Sequence, residues 1–528
     1  MKIGIDPIES IAAFYAGQSI FLTGSTGFFG KIFIEKVLRS CKDVCEIFVL
    51  IRPKKGMNID ERLKKMLTLP LFDKLRNEQP SSFKKLIPIL GDSSEKELGL
   101  SLSDKQMLIE RVTIIVHAAA SVRFNESLKY SILVNTRSTR DICVLAESMK
   151  NLTALVYVST GYTQTDHPVI EEKVYPPKAD WRKTIQIAES MDDHILNIFT
   201  AKYMNNAANT YVFSKNLAEG VIKDYSASLP CAIIRPTMVF PALSEPYSGW
   251  IDNVYGPIGL LVSGGKGLLR ITFCQTNICQ DWIPIDIVIK SLLQVIWKRG
   301  TIPYDQSMAT SDSTPLVFNC ASGHLQKISM SENLKLGTNL IRESPYDENL
   351  YECNSYVTNN FTLFYILTIL WHVLPAMFID LILKWFNFKF RFLKLHRNIY
   401  VAVCALKYFI INEWTFDNKN TMLLNETLPP VNVKEFQFQF NFNQRDLIKN
   451  ALLGTKKYLF NDDVSTAGIN IARARYRRLE ILNMILKTCI ILGMLWTFHH
   501  WKVLLYLVLS YILLPFRLCT VSFYNILA

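Results

Sequence analysis

The segment "FLTGSTGFFGK" (residues 21–31) ends an apolar run, opens a predicted helix and holds glycines at intervals of three residues. Gly24, Gly27 and Gly30 complete the pattern T-G-x-x-G-x-x-G. In a dinucleotide-binding turn of this spacing, the first glycine makes the turn and the second lets the backbone approach a pyrophosphate. The third lets the helix and the strand pack closely. The helix N-terminus adds free N–H groups and a partial positive charge. A tight turn without a ligand is the alternative interpretation of this motif alone.

Apolar strands alternate with helical stretches from residue 19 to about residue 322. The predicted strands cover residues 19–23, 46–51, 86–90, 113–119, 154–159, 231–236 and 315–321, and the main predicted helices cover residues 28–39, 126–149 and 207–228. Continuous apolar strands separated by helices indicate a parallel sheet that is covered on both faces. The sequence therefore predicts an α/β fold, a Rossmann-type doubly wound parallel sheet, followed by a mainly helical C-terminal region.

Basic residues follow the second predicted strand in "VLIRPKKG" (residues 49–56). At this position an acidic side chain favours NAD, whereas a basic one accommodates the 2′-phosphate of NADP. Arg52 and Lys55 stand here without an acid, so the pattern favours NADP(H). A solvated basic loop is the alternative.

Two further strand ends supply candidate cofactor contacts. Asp92 follows the third strand and could reach an adenine edge, while "HAAASVRF" (residues 117–124) places the small residues Ala118 and Ala119 where a cofactor could lie close. We expect His117 to be structural rather than catalytic.

The segment "YVFSK" separates Tyr211 and Lys215 by four residues, so both side chains share one face of a helix. In a reductase, such a lysine lowers the pKa of the tyrosine hydroxyl and holds the nicotinamide ribose. The tyrosine then donates a proton to the oxygen that gains charge as hydride arrives. "VYVSTGY" ends the fifth strand with Ser159 and Thr160, and one of these hydroxyls could donate a second hydrogen bond to that oxygen.

These motifs, taken in order, resemble the extended short-chain dehydrogenase/reductase family. More narrowly, "VLIRPKKG", "VYVSTGY", "YVFSKNLAE", "IIRPTMVFP", "DWIPIDIVI" and "NEWTFDNKN" resemble segments of fatty acyl-CoA reductases of the animal and insect type. The resemblance implies that a long-chain fatty acyl-CoA is reduced to a primary alcohol and CoA, through an aldehyde-level intermediate. Two NADPH would be used and no metal. It also implies that Thr160 lies nearest the reacting carbonyl, with Ser159 behind it.

The predicted catalytic residues are Tyr211, Lys215, Thr160 and Ser159. The predicted cofactor contacts are Thr23, Gly24, Thr26, Gly27, Phe28, Gly30, Arg52, Lys55, Asp92, Ala118, Ala119, Tyr211, Lys215 and Pro236. Two other functions stay open at this point. One is a membrane-bound oxidoreductase of the same family that acts on a sterol or another lipid alcohol or ketone, and the other is a non-catalytic NADP-binding scaffold.

Composition changes sharply in the last third of the chain. We predict a reductase domain over residues 15–330, a linker over 331–358, a helical domain over 359–465 and a membrane-anchoring segment over 470–528. Residues 361–383 could span a membrane, dip into one leaflet or form the wall of an acyl tunnel. The apolar run 488–514 contains "HHWK", so it could be two half-segments that turn there or one distorted span.

The formal net charge of +12 and the 49% hydrophobic content suit contact with an anionic membrane surface. Lys/Arg-rich tracts are too short to favour nucleic acid. The eleven cysteines are irregularly spaced, so we expect reduced thiols and neither disulfides nor a metal site. The first residues do not read as a signal peptide. We therefore expect a membrane-associated protein whose catalytic domain faces the cytosol, at the endoplasmic reticulum or the peroxisome.

Overall fold

A computed structural model describes residues 10–54, 56–303, 314–325, 327–388 and 391–524 of the chain. The strands are β1 Ser19–Thr23, β2 Glu46–Ile51, β3 Leu86–Leu90, β4 Ile114–His117, β5 Ala154–Val158, β6 Val169–Ile170, β7 Cys231–Pro236, β8 Met238–Phe240, β9 Ile271–Phe273, β10 Trp282–Pro284, β11 Leu316–Cys320, β12 Tyr356–Thr358 and β13 Thr415–Phe416.

The helices alternate with these strands through the first part of the chain and dominate the last part. They are α1 Ile11–Tyr15, α2 Phe28–Ser40, α3 Ile59–Leu67, α4 Asp73–Glu78, α5 Leu102–Arg111, α6 Leu128–Ser131, α7 Ser138–Glu147, α8 Trp181–Ser190, α9 Asp193–Tyr203, α10 Thr210–Tyr225, α11 Pro257–Gly265, α12 Ile285–Thr301, α13 Met330–Glu343, α14 Phe361–Thr368, α15 Leu374–Trp385, α16 Phe392–Ile411, α17 Lys419–Glu426, α18 Pro430–Phe436, α19 Gln444–Gly454 and α20 Thr466–Tyr524.

A seven-stranded parallel sheet forms the centre of the molecule, with the strand order β11-β7-β5-β4-β1-β2-β3. The order reverses between β1 and β4, which creates a crevice at the carboxyl ends of these two strands. The predicted doubly wound parallel sheet is therefore confirmed. The predicted bounds of β1, β2, β3 and β7 agree with the observed ones to the residue.

Two apolar cores lie on opposite faces of the sheet. Side chains of α1, α2 and α12 pack against one face, and side chains of α5, α7, α8 and α10 pack against the other. The central strand β1 is buried at every position, as expected for a strand covered on both sides. This double cover holds the carboxyl ends of the strands in a fixed arrangement.

Residues 331–358, which we predicted to be a linker, contain regular structure. Helix α13 begins with a capping box, in which Ser329 accepts a hydrogen bond from the N–H of Glu332 and the Glu332 carboxylate accepts one from the N–H of Ser329. Farther on, β12 pairs with β9 in parallel. The segment therefore packs into the body of the molecule and does not separate two parts of it.

The segment "NEWTFDNKN" joins the last third of the chain to the reductase region. Strand β13 within it pairs with β6, and the Asn418 side chain donates to the carbonyl of Ala321 over 2.7 Å. The Trp414 indole also donates to the carbonyl of Thr165 over 3.1 Å. Residues beyond 400 thus complete the region that follows β5 and β11.

Within the part of the chain that the structure describes, two helical segments are long and apolar enough to cross a membrane: Phe361–Trp385 and Thr466–Val503. The first combines α14, a π-helical turn and α15, and the second is the larger part of α20. Helix α20 runs without interruption through residues 499–502, so the turn that we considered at "HHWK" is absent there.

Candidate active site

The glycine-rich turn connects β1 to α2 at the crevice of the sheet. Gly24 has a φ of +73°, and a Cβ atom there would lie 2.8 Å from the carbonyl carbon of Ala118. A Cβ on Gly30 would lie 2.7 Å from the Cα of Ser25. The first and third glycines of the motif are therefore required by close backbone contacts. Gly24 thus brings the turn against the residues that follow β4, and Gly30 lets the start of α2 pack against the turn itself.

The N-terminus of α2 fits a pyrophosphate. Gly27 is the N-cap residue, it is exposed, and no side chain of the described residues caps the first turn of the helix. Thr26 and Phe28 on either side are only partly buried. The first amides of α2 are thus accessible to a ligand with negative charge. The cradle suits the phosphates of a dinucleotide, and the cofactor contacts of these residues stay a prediction.

A buried hydrogen-bond chain fixes the end of β4 beside the turn. The Thr23 hydroxyl lies 2.8 Å from Nδ1 of His117 and accepts a hydrogen bond from the N–H of Ala119 over 3.1 Å. Burial lowers the pKa of His117 to about 3, so this ring is neutral at physiological pH. The geometry supports a structural role for His117 and places Ala118 and Ala119 at the crevice.

The end of β2 carries the residues proposed to distinguish the two nicotinamide cofactors. The side chain of Arg52 is mostly exposed, and its Nε lies 3.8 Å from the Asp92 carboxylate. The Ser25 hydroxyl donates to the carbonyl of Leu50 over 2.8 Å, which ties the glycine turn to this strand. Arg52 and Asp92 therefore lie together beside the turn. Lys55 lies outside the described residues.

The predicted catalytic residues meet where β5 ends and α10 begins. The Thr160 side chain lies beside Tyr211, close enough to favour the ionised form of its hydroxyl. One turn further along α10, the Lys215 ammonium donates to the carbonyl of Val158 over 2.7 Å and lies 4.5 Å from the centre of the Tyr157 ring. The structure therefore brings these three residues together at the carboxyl end of the sheet.

Burial changes the pKa of both titratable groups at this site. It raises the pKa of Tyr211 to about 12, although the Thr160 side chain acts in the opposite direction. It also lowers the pKa of Lys215 to about 7, although Glu219 one turn away favours the ammonium. We expected Lys215 to lower the pKa of the tyrosine, but in the structure desolvation outweighs any such effect. A tyrosine of high pKa keeps its proton and can act as a donor.

Ser159 belongs to a different network from Thr160. Its hydroxyl donates to the Glu219 carboxylate over 2.6 Å, and Arg235 binds the same carboxylate through two hydrogen bonds of 2.7 and 2.8 Å. Glu219 and Arg235 are almost completely buried. The Ser159 hydroxyl thus binds a buried ion pair. Thr160 is then the hydroxyl that faces Tyr211. Pro236 follows Arg235 at the end of β7.

Sequence analysis missed a set of aromatic side chains around the tyrosine. The Phe124 ring centre lies 5.6 Å from that of Tyr211 and 5.3 Å from that of Phe409. Tyr162 contacts Phe409 at 5.3 Å and Trp414 at 5.6 Å. These residues, drawn from three distant parts of the chain, form an apolar wall beside the catalytic residues.

Asn135 is a further residue that the sequence analysis missed. It lies in a π-helical segment, Ile132–Arg137, and its amide donates to the Ser214 hydroxyl on α10 over 2.9 Å. Its carbonyl oxygen accepts from the N–H of Ser121 over 2.9 Å. Asn135 therefore fixes the loop after β4 relative to the helix that carries Tyr211. A lone asparagine in a helical pattern gives no signal of this role.

The parallel sheet with its glycine turn and tyrosine–lysine helix defines a nicotinamide-dependent reductase of the short-chain dehydrogenase/reductase type. Among solved structures, the chain is similar to the terminal reductase domain from the myxalamid biosynthetic pathway, with a TM-score of 0.55, 17% identity and coverage of 84% of this chain and 92% of that one. The reductase domain of a nonribosomal peptide synthetase from Mycobacterium tuberculosis gives a TM-score of 0.51 at 17% identity, covering 87% and 97% of the two chains. Both support the fold.

Sequence comparisons identify the family within this class of reductases to which the chain belongs. An NAD-binding family model described as "Male sterility protein" matches residues 22–292, and a second model with this description matches residues 371–462. Fatty acyl-CoA reductase 1 of Xenopus laevis is 36% identical over 89% of this chain and 90% of its own length. The human protein of that name is 35% identical over the same shares, and fatty acyl-CoA reductase wat of Drosophila melanogaster is 33% identical over 89% of both chains. This chain belongs to the fatty acyl-CoA reductase family.

Proposed function

We propose that this protein reduces long-chain fatty acyl-CoA to a primary fatty alcohol and CoA, with NADPH as the reductant. The observation that carries the proposal is the meeting of Thr160, Tyr211 and Lys215 beside a glycine turn that suits a dinucleotide, in a chain of this family. Two hydroxyl groups then face the place where a carbonyl oxygen would gain negative charge.

The same hydroxyl pair can serve both reductions. NADPH, when bound, supplies one hydride to the acyl carbon in each of two rounds. Tyr211 gives its proton to the oxygen, while Thr160 donates a hydrogen bond to it. The first round produces a hemithioacetal, whose C–S bond breaks to release the CoA thiol and leave an aldehyde. The second round converts this aldehyde to the alcohol in the same position.

Lys215 and the aromatic wall support these steps. Lys215 is held by the carbonyl of Val158, and its remaining donors can hold the hydroxyls of the nicotinamide ribose. The wall of Phe124, Tyr162 and Phe409 excludes water from the reacting carbon, which strengthens the hydrogen bonds to the oxygen.

The preference for NADPH rests on Arg52. Its guanidinium follows β2 and is mostly exposed, so it can turn to form a bidentate contact with a 2′-phosphate. Asp92 shares this region and would then lie near the adenine.

Membrane attachment through the two apolar helices suits a substrate and a product that partition into lipid. The exposed apolar surface of Thr466–Val503 supports an anchor, with the catalytic domain in the cytosol. The endoplasmic reticulum and the peroxisome are the organelles that we propose for it.

The test uses the full chain in detergent with palmitoyl-CoA and NADPH, and it measures NADPH oxidation, free CoA thiol and extracted hexadecanol. We expect two NADPH oxidised per CoA released, and hexadecanol as the product. The Tyr211→Phe variant should bind NADPH but form little alcohol. NADPH binding without CoA release from any acyl-CoA length would refute the proposal and favour a scaffold. Oxidation of a sterol or ketone substrate without CoA release would favour the other lipid oxidoreductase.

A further inference from the structure

A large apolar cavity lies outside the cluster of catalytic residues. Its volume of about 670 Å³ falls within the range of about 300–1,000 Å³ that small-molecule sites occupy. It is enclosed mainly by α11, β9, α13 and α16, and apolar atoms form most of its surface. We propose that this cavity holds the acyl chain of the substrate, an inference that rests on the proposed function.

Helix α16 is a shared wall between the cavity and the catalytic residues. Leu406 and Ile410 line the cavity, whereas Phe409 between them contacts the ring of Phe124 beside the catalytic tyrosine. The Gln280 side chain also lines the cavity and donates to the carbonyl of Phe409 over 2.5 Å. Helix α16 therefore borders both the cavity and the aromatic wall beside Tyr211.

A second connection runs along the strand that follows the cofactor crevice. Met238 lines the cavity and lies two residues after Pro236, which we placed among the cofactor contacts. Beyond it, Phe240 and Trp282 stack at 4.5 Å and form an apolar floor. A chain that begins at the reacting carbon could thus continue into the cavity along apolar surface.

The far side of the cavity adjoins a second hollow of about 540 Å³. Asn354, Ser355 and Val357 line both spaces. Trp371 and Lys487, which come from the two candidate membrane helices, line the second hollow. The methyl end of a bound chain would therefore point toward the part of the molecule that is suited to lipid.

Two glycines allow the cavity to be filled without disturbing its walls. Gly264 lies on α11, and a Cβ there would meet no atom of the described residues within 4 Å. Gly337 lies on α13, where a Cβ would come no closer than 3.9 Å to Leu261. Neither glycine has a positive φ, so larger residues suit the backbone of both helices. A phenylalanine at either position would occupy the space that we assign to the distal carbons.

The test compares wild type with Gly264→Phe and Gly337→Phe, using octanoyl-CoA and hexadecanoyl-CoA as substrates. Each variant should lower the kcat/KM ratio of the long substrate to the short one by at least about tenfold, since pockets discriminate by roughly this factor for even small changes in size. Activity on octanoyl-CoA and NADPH binding should persist, which would show that the variants fold. Gly493→Phe is the matched control, because a Cβ there meets no described atom and the residue lies on α20 away from the cavity.

Failure of this inference and failure of the proposed function give different results. If wild type reduces both substrates but neither cavity variant changes the ratio, the chain lies elsewhere. If wild type reduces no acyl-CoA, the proposed function itself is wrong.

Hexadecanoyl-CoA with a terminal diazirine provides a variant-free test. Crosslinks should map to the cavity lining, which is residues 238–240, 257–282, 330–342, 353–357, 406–410 and Ile448, and crosslinks confined to other segments would overturn the assignment.

Discussion

Replacing Lys215 by methionine should abolish turnover and yet stabilise the fold at mildly acidic pH. Lys215 is 2% exposed, and burial lowers its pKa from 10.5 to about 7. Below pH 7 the folded protein holds this charge at a cost of about 5 kcal/mol, from 1.36 kcal/mol for each pH unit between the two pKa values. Methionine has a similar shape and carries no charge, so this cost disappears in the variant.

The stability that Lys215→Met gains over wild type should decrease as the pH rises. Because the folded pKa is the lower one, the unfolded chain binds more protons between pH 7 and 10.5, and wild-type stability rises with pH in that window. At pH 9 the cost of burying the lysine has fallen to about 2 kcal/mol. The variant also loses the hydrogen bond to Val158 and the contact with the Tyr157 ring, together worth about 2 kcal/mol. At pH 6 the net gain is then about 3 kcal/mol, and at pH 9, where the neutral amine has no cation–π contact to lose, it is about 1 kcal/mol.

The assay is thermal unfolding of the cofactor-free chain in detergent at pH 6 and pH 9, beside NADPH oxidation. We expect the melting temperature of Lys215→Met to exceed that of wild type by several degrees at pH 6 and by little at pH 9. Tyr211→Phe is the matched control, since a tyrosine of pKa about 12 stays protonated at both values and its loss should give no such pH difference. A Lys215→Met variant that is less stable than wild type at pH 6 would refute the burial argument.

Three other substitutions test neighbouring parts of the site. Thr160→Val should lower kcat about 100-fold in steady-state kinetics and leave the melting temperature unchanged. Ser159→Ala should change kcat little, but it removes a hydrogen bond to Glu219 and should lower the free energy of unfolding in urea by about 1–3 kcal/mol. Arg52→Gln should lower kcat/KM for NADPH about tenfold and leave that for NADH nearly unchanged; equal losses with both cofactors would contradict the role of this residue. Arg235→Met should leave a buried carboxylate unpaired and lower the free energy of unfolding by about 3–5 kcal/mol, and a melting temperature equal to that of wild type would argue against the pair.

Local patterns in the sequence were sufficient to predict the sheet and the glycine turn. Strands buried on both faces have continuous apolar runs, and Gly24 and Gly30 have to meet backbone atoms at close range, so both features leave a signal within a few residues. Tyr211 and Lys215 could be paired because the spacing of one helical turn fixes their common face. The hydroxyl at Thr160 was identified from the family resemblance, and its link to Tyr211 agrees with that choice.

Other features depend on contacts that sequence spacing does not encode. The aromatic wall joins Phe124 to Phe409, which only the folded chain brings together. The pKa of Tyr211 is set by burial, which a motif does not report.

In contrast, the start of α13 had a readable signal, because Ser329 and Glu332 form the S-x-x-E pattern of a capping box. The polar composition of the residues that follow concealed that helix. The continuous helix through residues 499–502 keeps its backbone hydrogen bonds, which a turn would have broken.

The pairing of β13 with β6 also has a consequence for how the protein is made. The ribosome releases the sheet as far as β11 well before Thr415 and Phe416 emerge, because nearly one hundred residues lie between Cys320 and Phe416. At synthesis rates of about 5–20 residues per second, the nascent chain spends roughly 5–20 seconds with its tyrosine uncovered. The first apolar helix, Phe361–Trp385, is synthesised within this interval and can meet a membrane before β13 pairs. The enzyme can therefore reach lipid before its catalytic chamber closes.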